Sequence, residues 1–278
     1  MTDLFPLAYS TLACPGWSLE QAADAAVTYG YSALELRLLD GVIIPADLPV
    51  EERQRVRDVL RDRSLGLVGI GASTRFAMPD PDERAANVAE LRRYLQLAYD
   101  LETPIVRTFG GPAAAGVSDE QALAWVLESL EALLVEAEEL GVQIALETHD
   151  SFARGAQVAQ VLDRLPHPRL GAIWDVLHPL RHGEPLETTL ASLGPRLIHV
   201  HMKDGRPDPA AAQPEDWELT LLGEGAVPGA AIVALLQAGG YRGYLSVEWE
   251  KHWHPQLAEP EVALPQHAQV LRSWMEGL

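Results

Sequence analysis

The chain has 278 residues and a formal net charge of −19, from 40 acidic against 21 basic side chains, and 47% of it is hydrophobic. That length suits one (β/α)8 barrel with a large core, while the acidity argues against a phosphate backbone as partner, because such binding needs clustered Lys and Arg. A single cysteine, Cys14, excludes an intrachain disulfide and a thiolate metal cluster, and no apolar run approaches the ~20 residues of a membrane span.

The opening MTDLFPLAYSTL has no basic stretch ahead of an apolar run, so no secretory signal is expected and the location expected is cytoplasmic. Within it, LAYS (7–10) is the first of a series of short apolar runs rich in β-branched or aromatic residues. The others are 33–36, 67–70, 105–109, 144–147, 171–174, 197–201 and 244–248. Such runs read as buried strands. Segments of helical spacing lie between them, at 18–29, 50–63, 82–101, 118–140, 155–165, 186–193, 228–238 and 261–276. Acidic residues interleave with the arginines of the second, which marks a solvated helix face rather than a nucleic-acid patch. The clearest helix is 118–140, where Ser118 and Gln121 are spaced as a capping box and Gly141 supplies a stop. Eight strand signals, each followed by a helix signal, predict an α/β fold, one (β/α)8 TIM barrel domain over 1–278. No Gly-x-Gly-x-x-Gly follows the first strand, which argues against an open dinucleotide-binding sheet. The stretch 202–227 is longer and richer in Pro and Gly than its neighbours, and is expected as a catalytic-face loop with the character of a lid.

Four strand ends carry potential ligands: Glu147, Asp175, His201 and Glu248 close the last four predicted strands in turn. A lone carboxylate at a strand end is usually a surface charge or a helix cap. Four at equivalent positions are harder to explain that way, since the C-terminal strand ends of a barrel converge on one pocket. Three carboxylates and an imidazole suit one divalent ion, Mn2+, Mg2+, Co2+ or Zn2+. Without a cation, clustered carboxylates repel one another and their pKa values rise.

The runs ALETH (145–149), WDVLHP (174–179), HVHMKD (199–204), LGEG (222–225) and LSVEWE (245–250) resemble the sugar phosphate isomerase/epimerase superfamily, the xylose isomerase-like TIM barrels. The resemblance covers most of the chain and is strongest from 144 to 250. It implies that Glu147, Asp175, His201 and Glu248 are the metal ligands. It also implies a metal-dependent isomerase or epimerase of a sugar or sugar-like ketose, with Glu147 and Glu248 as the catalytic proton-transfer pair acting through a metal-stabilised enediolate. A small-molecule substrate follows, with no nucleic acid or membrane partner, and homo-oligomers are common among such barrels. The His-x-Lys-Asp run is also similar to inosose dehydratase-like relatives, which makes a lyase on the same metal site the alternative. In ketose 3-epimerases the strand-five Glu is followed some residues later by a second carboxylate that touches substrate, whereas here 150–154 reads Asp-Ser-Phe-Ala-Arg, with no Glu. Endonuclease IV shares the barrel, but the regions that hold its extra histidines read 68–72, 107–110 and 216–219 here, without a histidine. A barrel that binds sugar without catalysis is the remaining reading.

Around these ligands, His178 is placed to bind substrate or a second metal, against a plain helix-entry histidine. Lys203 and Arg206 leave the seventh strand, each a candidate to hold a substrate oxygen, with a solvated loop charge as the alternative for Arg206. His149 is a candidate for substrate contact or ligand support, and His199 is expected deeper, as a hydrogen-bonded core histidine. Glu35, Arg37 and Arg107 either line the pocket or form an internal Glu–Arg ion pair. The loop from Trp249 to His254 is expected as an aromatic cover rather than a second metal site, with Trp17 and Phe76 in similar roles, and Cys14 as a small loop hydrophobe.

Overall fold

The computed structural model describes residues 4–210, 216–276 and 278. Strands β1 (Leu7–Ser10), β2 (Ala33–Leu36), β3 (Gly66–Gly71), β4 (Ile105–Phe109), β5 (Gln143–Glu147), β6 (Leu170–Asp175), β7 (Leu197–Met202) and β8 (Leu245–Val247) pair in parallel in chain order. The sheet closes where β8 returns to β1, with Leu7 beside Leu245. Helices α1 (Leu19–Tyr29), α2 (Val50–Asp62), α3 (Pro81–Asp100), α4 (Asp119–Leu140), α5 (Gly155–Arg164), α6 (Leu186–Leu193), α7 (Gly229–Ala238) and α8 (Pro260–Glu276) follow the strands one by one. The architecture is the (β/α)8 TIM barrel expected from the sequence.

The main core lies between the two layers. Leu34, Ile70, Val106, Ile144, Trp174 and Val200 from the strands join Leu95, Leu130, Leu133, Val158 and Ile232 from the helices in one buried cluster. Inside the barrel, two small apolar sets, Ala8–Ala33–Val68 and Ile105–Ala145–Ile173, are also buried. Ala33, Ile105, Ala145 and Ile173 each precede a polar residue of the site by two positions. They therefore sit one inward-facing layer deeper and form the floor beneath it.

Local chemistry sets the helix ends. Ser18 and Gln21 form the full reciprocal capping box of α1. At Ser118 the expected box is reduced to one bond among the described residues, from Gln121 N–H to Ser118 Oγ at 3.2 Å. Gly30 and Gly141 close α1 and α4 in the left-handed region, at φ of 80° and 70°. The first turn of α5 has a distant cap: Glu184 accepts from Gly155 N–H at 2.7 Å and Ala156 N–H at 3.2 Å, and from Thr189 Oγ at 2.6 Å.

Of the stretch expected as a lid, 211–215 lie outside the described residues. The rest is an antiparallel hairpin, Asp204–Pro207 against Trp217–Thr220. A second small hairpin, Leu38–Leu39 with Val42–Ile43, follows β2, and a short helix, Leu177–Arg181, follows β6. Among the described residues no helix is long and apolar enough to cross a membrane.

Candidate metal centre

The stagger of the closed barrel gathers the four predicted ligands, although the register pairs only two of them directly and offsets Glu147 and Glu248 by two residues each. Asp175 pairs with His201 across β6 and β7, and Glu147 sits opposite Ile173, two residues before Asp175. One donor atom each from Glu147, Asp175, His201 and Glu248 falls within a cluster whose members lie within 4.8 Å of one another, and all four residues are buried.

Hydrogen bonding beneath the cluster orients the imidazole. His201 Nε2 is 3.0 Å from Glu35 Oε2, which is also 3.1 Å from His199 Nε2 and accepts from Ser246 Oγ at 3.0 Å. Glu35 thus draws the Nε2 proton and turns Nδ1 toward Glu147 Oε1 at 2.9 Å and Glu248 Oε2 at 3.6 Å. A neutral imidazole with its Nδ1 lone pair aimed at carboxylate oxygens is repulsive, so a positive charge belongs there. Burial opposes the charged ring, but Glu35, Glu248 and Glu147 together hold the His201 pKa well above the usual histidine range.

The carboxylates show the complementary deficit. Glu147 Oε2, Asp175 Oδ2 and Glu248 Oε2 are buried without a hydrogen bond of good geometry among the described residues, and face cations instead: Arg107 Nε at 3.3 Å from the first, Lys203 Nζ at 2.7 and 2.6 Å from the other two. Buried carboxylate oxygens without directional hydrogen bonds depend on positive charge beside them. One such oxygen from each carboxylate, beside an oriented imidazole nitrogen, fits a divalent cation with mixed O/N ligation. Burial raises both glutamates in opposition to their cationic neighbours, with different outcomes. His201 and Arg107 bring Glu147 down to about 2, whereas burial, helped by Glu147 and Asp175, takes Glu248 up to about 7 against Lys203 and His201.

Lys203 stands at the edge of this cluster with its ammonium 2.7 Å from Asp175 Oδ2, 2.6 Å from Glu248 Oε2 and 2.5 Å from Glu250 Oε1. Burial works against its charge, but the three carboxylates outweigh it and raise the pKa well above the ordinary lysine value. His178 is buried, with Nε2 3.4 Å from Asp175 Oδ2 and its ring centroid 4.2 Å from that of His149. Burial, then the neighbouring His149 and Lys203, holds it neutral. His149 is itself packed against Phe109, with ring centroids 4.5 Å apart and planes tilted by 46°, and lies 3.0 Å from Asp150 Oδ1. Burial lowers its pKa, but Asp150 and Glu147 outweigh that, so the value is raised.

Glu147, Lys203, Glu248, His149 and Arg107 line one cavity of about 360 Å3. Glu250, His149 and His254 also border an outer space of about 520 Å3 that reaches His178, Arg181 and Trp217. Arg206 is not brought to either space. Its guanidinium is more than half exposed and pairs with Glu218 across the hairpin at 2.9 Å. His199 takes the core position expected of it. Of the two readings open for Glu35, Arg37 and Arg107, both arginines line the cavity, and among the described residues the internal Glu–Arg pair is Arg107 with Glu147 at 3.3 Å, while Glu35 serves the two histidines and Ser246. Trp253 lies at the cavity wall near Arg37. Phe76 is fully buried in the core, so it is no cover. Glu250 was missed as a site residue. Its only sequence signal is its place two residues after Glu248.

A (β/α)8 barrel that gathers two glutamates, an aspartate and a histidine at its C-terminal strand ends defines a class, the barrels built around a candidate divalent-cation centre. The chain belongs to the xylose isomerase-like TIM barrel family, whose sequence model matches residues 23–274. It is similar to fructoselysine 3-epimerase of Escherichia coli O157:H7, 23% identical over 242 residues, which are 83% of this chain and 85% of that protein. Among solved structures it resembles an L-ribulose 3-epimerase, with a TM-score of 0.80 at 17% identity over 98% of this chain and 95% of the other. It also resembles the probable 3-DHS dehydratase AsbF of Bacillus anthracis, with a TM-score of 0.77 at 19% identity over 96% and 98%. At these identities the structural matches speak to the fold.

Proposed function

We propose that the protein is a divalent-metal-dependent epimerase of a sugar or sugar-like ketose. The carrying observation is the buried cluster of one donor atom each from Glu147, Asp175, His201 and Glu248, all within 4.8 Å of one another, with Glu147 and Glu248 lining a cavity large enough for one sugar. Membership of the xylose isomerase-like family and the likeness to fructoselysine 3-epimerase support the same reading.

Glu147, Asp175, His201 and Glu248 hold the cation, which when bound polarises a substrate carbonyl and acidifies the neighbouring C–H. Glu147 at the end of β5 and Glu248 just after β8 both line the cavity, one placed to remove the proton at carbon and the other to return it on the opposite face. Lys203 stabilises negative charge that develops on the carbonyl oxygen. His178 and His149 contact substrate hydroxyls at the outer rim.

The test is turnover of ketoses in D2O by protein loaded in turn with Mn2+, Co2+, Mg2+ and Zn2+. Epimer formation with deuterium at the inverted carbon is expected, and Glu147→Gln or Glu248→Gln lowers kcat by about 10²–10⁴. Epimer formed without deuterium would point to hydride shift, and water loss without an epimer to a lyase; either result overturns the assignment.

A further inference from the structure

Arg37, just past the end of β2, and Arg107, in the middle of β4, wall the cavity that holds Glu147, Lys203 and Glu248. They are only 6% and 4% exposed. Gly71 lies beside Arg107 in the register of β3 and β4. A Cβ on Gly71 would come within 2.8 Å of Arg107 Nη2 and 3.0 Å of Arg37 Cδ. Glycine at that position leaves room for both long cationic side chains to pass close to the same point of the strand.

The two arginines are anchored unequally. Arg37 donates to Gly71 O at 3.1 Å and to Ser73 Oγ at 2.7 Å. Arg107 stacks over Phe109 at 4.0 Å, but its Nε and Nη1 are buried without a hydrogen-bond partner among the described residues. Its Nε lies 3.3 Å from Glu147 Oε2 outside hydrogen-bond geometry. Burial and the adjacent Arg107 charge bring the Arg37 pKa down to about 10. Leu12, Phe109 and Trp253 form the apolar part of the same wall. Two neighbouring guanidiniums in such surroundings, one with unused donors, make a strong site for an oxyanion.

We propose that Arg37 and Arg107 form a subsite for an anionic oxygen group, carboxylate or phosphate, carried by the substrate. The substrate is then a sugar acid or a sugar phosphate rather than a neutral ketose. This inference rests on the sugar reading above and narrows it.

The experiment is titration calorimetry of the full chain in Mn2+ with D-fructose, D-fructuronate and D-fructose 6-phosphate, three probes with one skeleton and different ends. At least one anion is expected to bind about tenfold or more tightly than fructose, and the better of the two identifies carboxylate or phosphate. In Arg107→Gln and Arg37→Gln the ratio of anion to fructose affinity falls to about one. Equal affinities in the unaltered protein overturn the subsite, and that measurement needs no variant to fold. An anion advantage retained in both variants overturns it too, because Lys203 or the cation then takes the anion. Deuterium exchange into fructose without anion preference removes the subsite and leaves the epimerase reading. Anion preference without exchange into any probe does the reverse.

Discussion

Glu35 gathers His199, His201 and Ser246 on one carboxylate oxygen, all at 3.0–3.1 Å. Burial opposes its charge, but His201 and His199 hold its pKa well below the usual carboxylate value. Its charge fixes which nitrogen of His201 faces the ligand cluster, so it acts on the metal through the ring. Glu35→Gln keeps the shape and removes the charge. Mn2+ affinity, measured by calorimetry, is expected to fall about 10–100-fold; unchanged affinity would mean that His201 is oriented by packing alone. Cys14 makes the opposite case. It is buried, and burial takes its thiol up to about 12, so at neutral pH it is a small apolar side chain.

At the scale of elements, the loop after β7 is organised by one buried carboxylate. Asp204 Oδ1 accepts from Gly205 N–H at 2.7 Å and Val227 N–H at 3.0 Å, while Oδ2 accepts from Gly223 N–H at 2.8 Å and Gly225 N–H at 3.0 Å. A Cβ on Gly225 would meet Asp204 Oδ1 at 2.2 Å, which is why the LGEG run needs a glycine there. Asp204→Asn puts an amide against backbone N–H donors. A loss of about 2–4 kcal/mol is expected in urea unfolding, with hydrogen exchange accelerated at 222–227; a stability unchanged within error would remove Asp204 as the anchor. The sequence already contained the pieces of this loop, HVHMKD and LGEG, but not their contact, because the two are almost twenty residues apart. The same contrast runs through the fold. The strands were legible as short apolar runs buried on both faces, the main helices by their apolar face, and the four ligands because strand ends converge once the barrel is granted. Glu184 capping α5 and Glu35 supporting His201 were not, since each acts on a partner distant in sequence and leaves no local pattern. The two hairpins were missed for a different reason. They are two to four residues per strand and partly exposed, too short for a pattern to stand out, even the apolar–polar alternation of Trp217–Thr220.

For the molecule as a whole, acid stability combines two opposing effects. The net charge of −19 makes self-repulsion fall as carboxylates are protonated. Against this stand histidines buried in neutral form. His267 of α8 is the cleanest: it packs edge-on against Trp249 at 5.1 Å, both ring nitrogens lack a hydrogen-bond partner among the described residues, and burial lowers its pKa to about 3. The sign follows from proton counting. Above about pH 6.5 the ring is neutral folded and unfolded, and it contributes no slope. As the pH drops below that value, the unfolded chain takes up a proton that the native state refuses, so stability declines until about pH 3, where the native ring is also protonated. Between pH 7 and pH 5 the loss amounts to up to about 2 kcal/mol. His267→Leu removes the titration and keeps an apolar contact for Trp249. Thermal unfolding of the two proteins across pH 7.5 to 4.5 is therefore expected to diverge, the variant gaining on the unaltered chain with each step toward acid. Parallel curves would show that His267 is reached by water or a proton in the native state, and that the acid limit of the fold lies elsewhere.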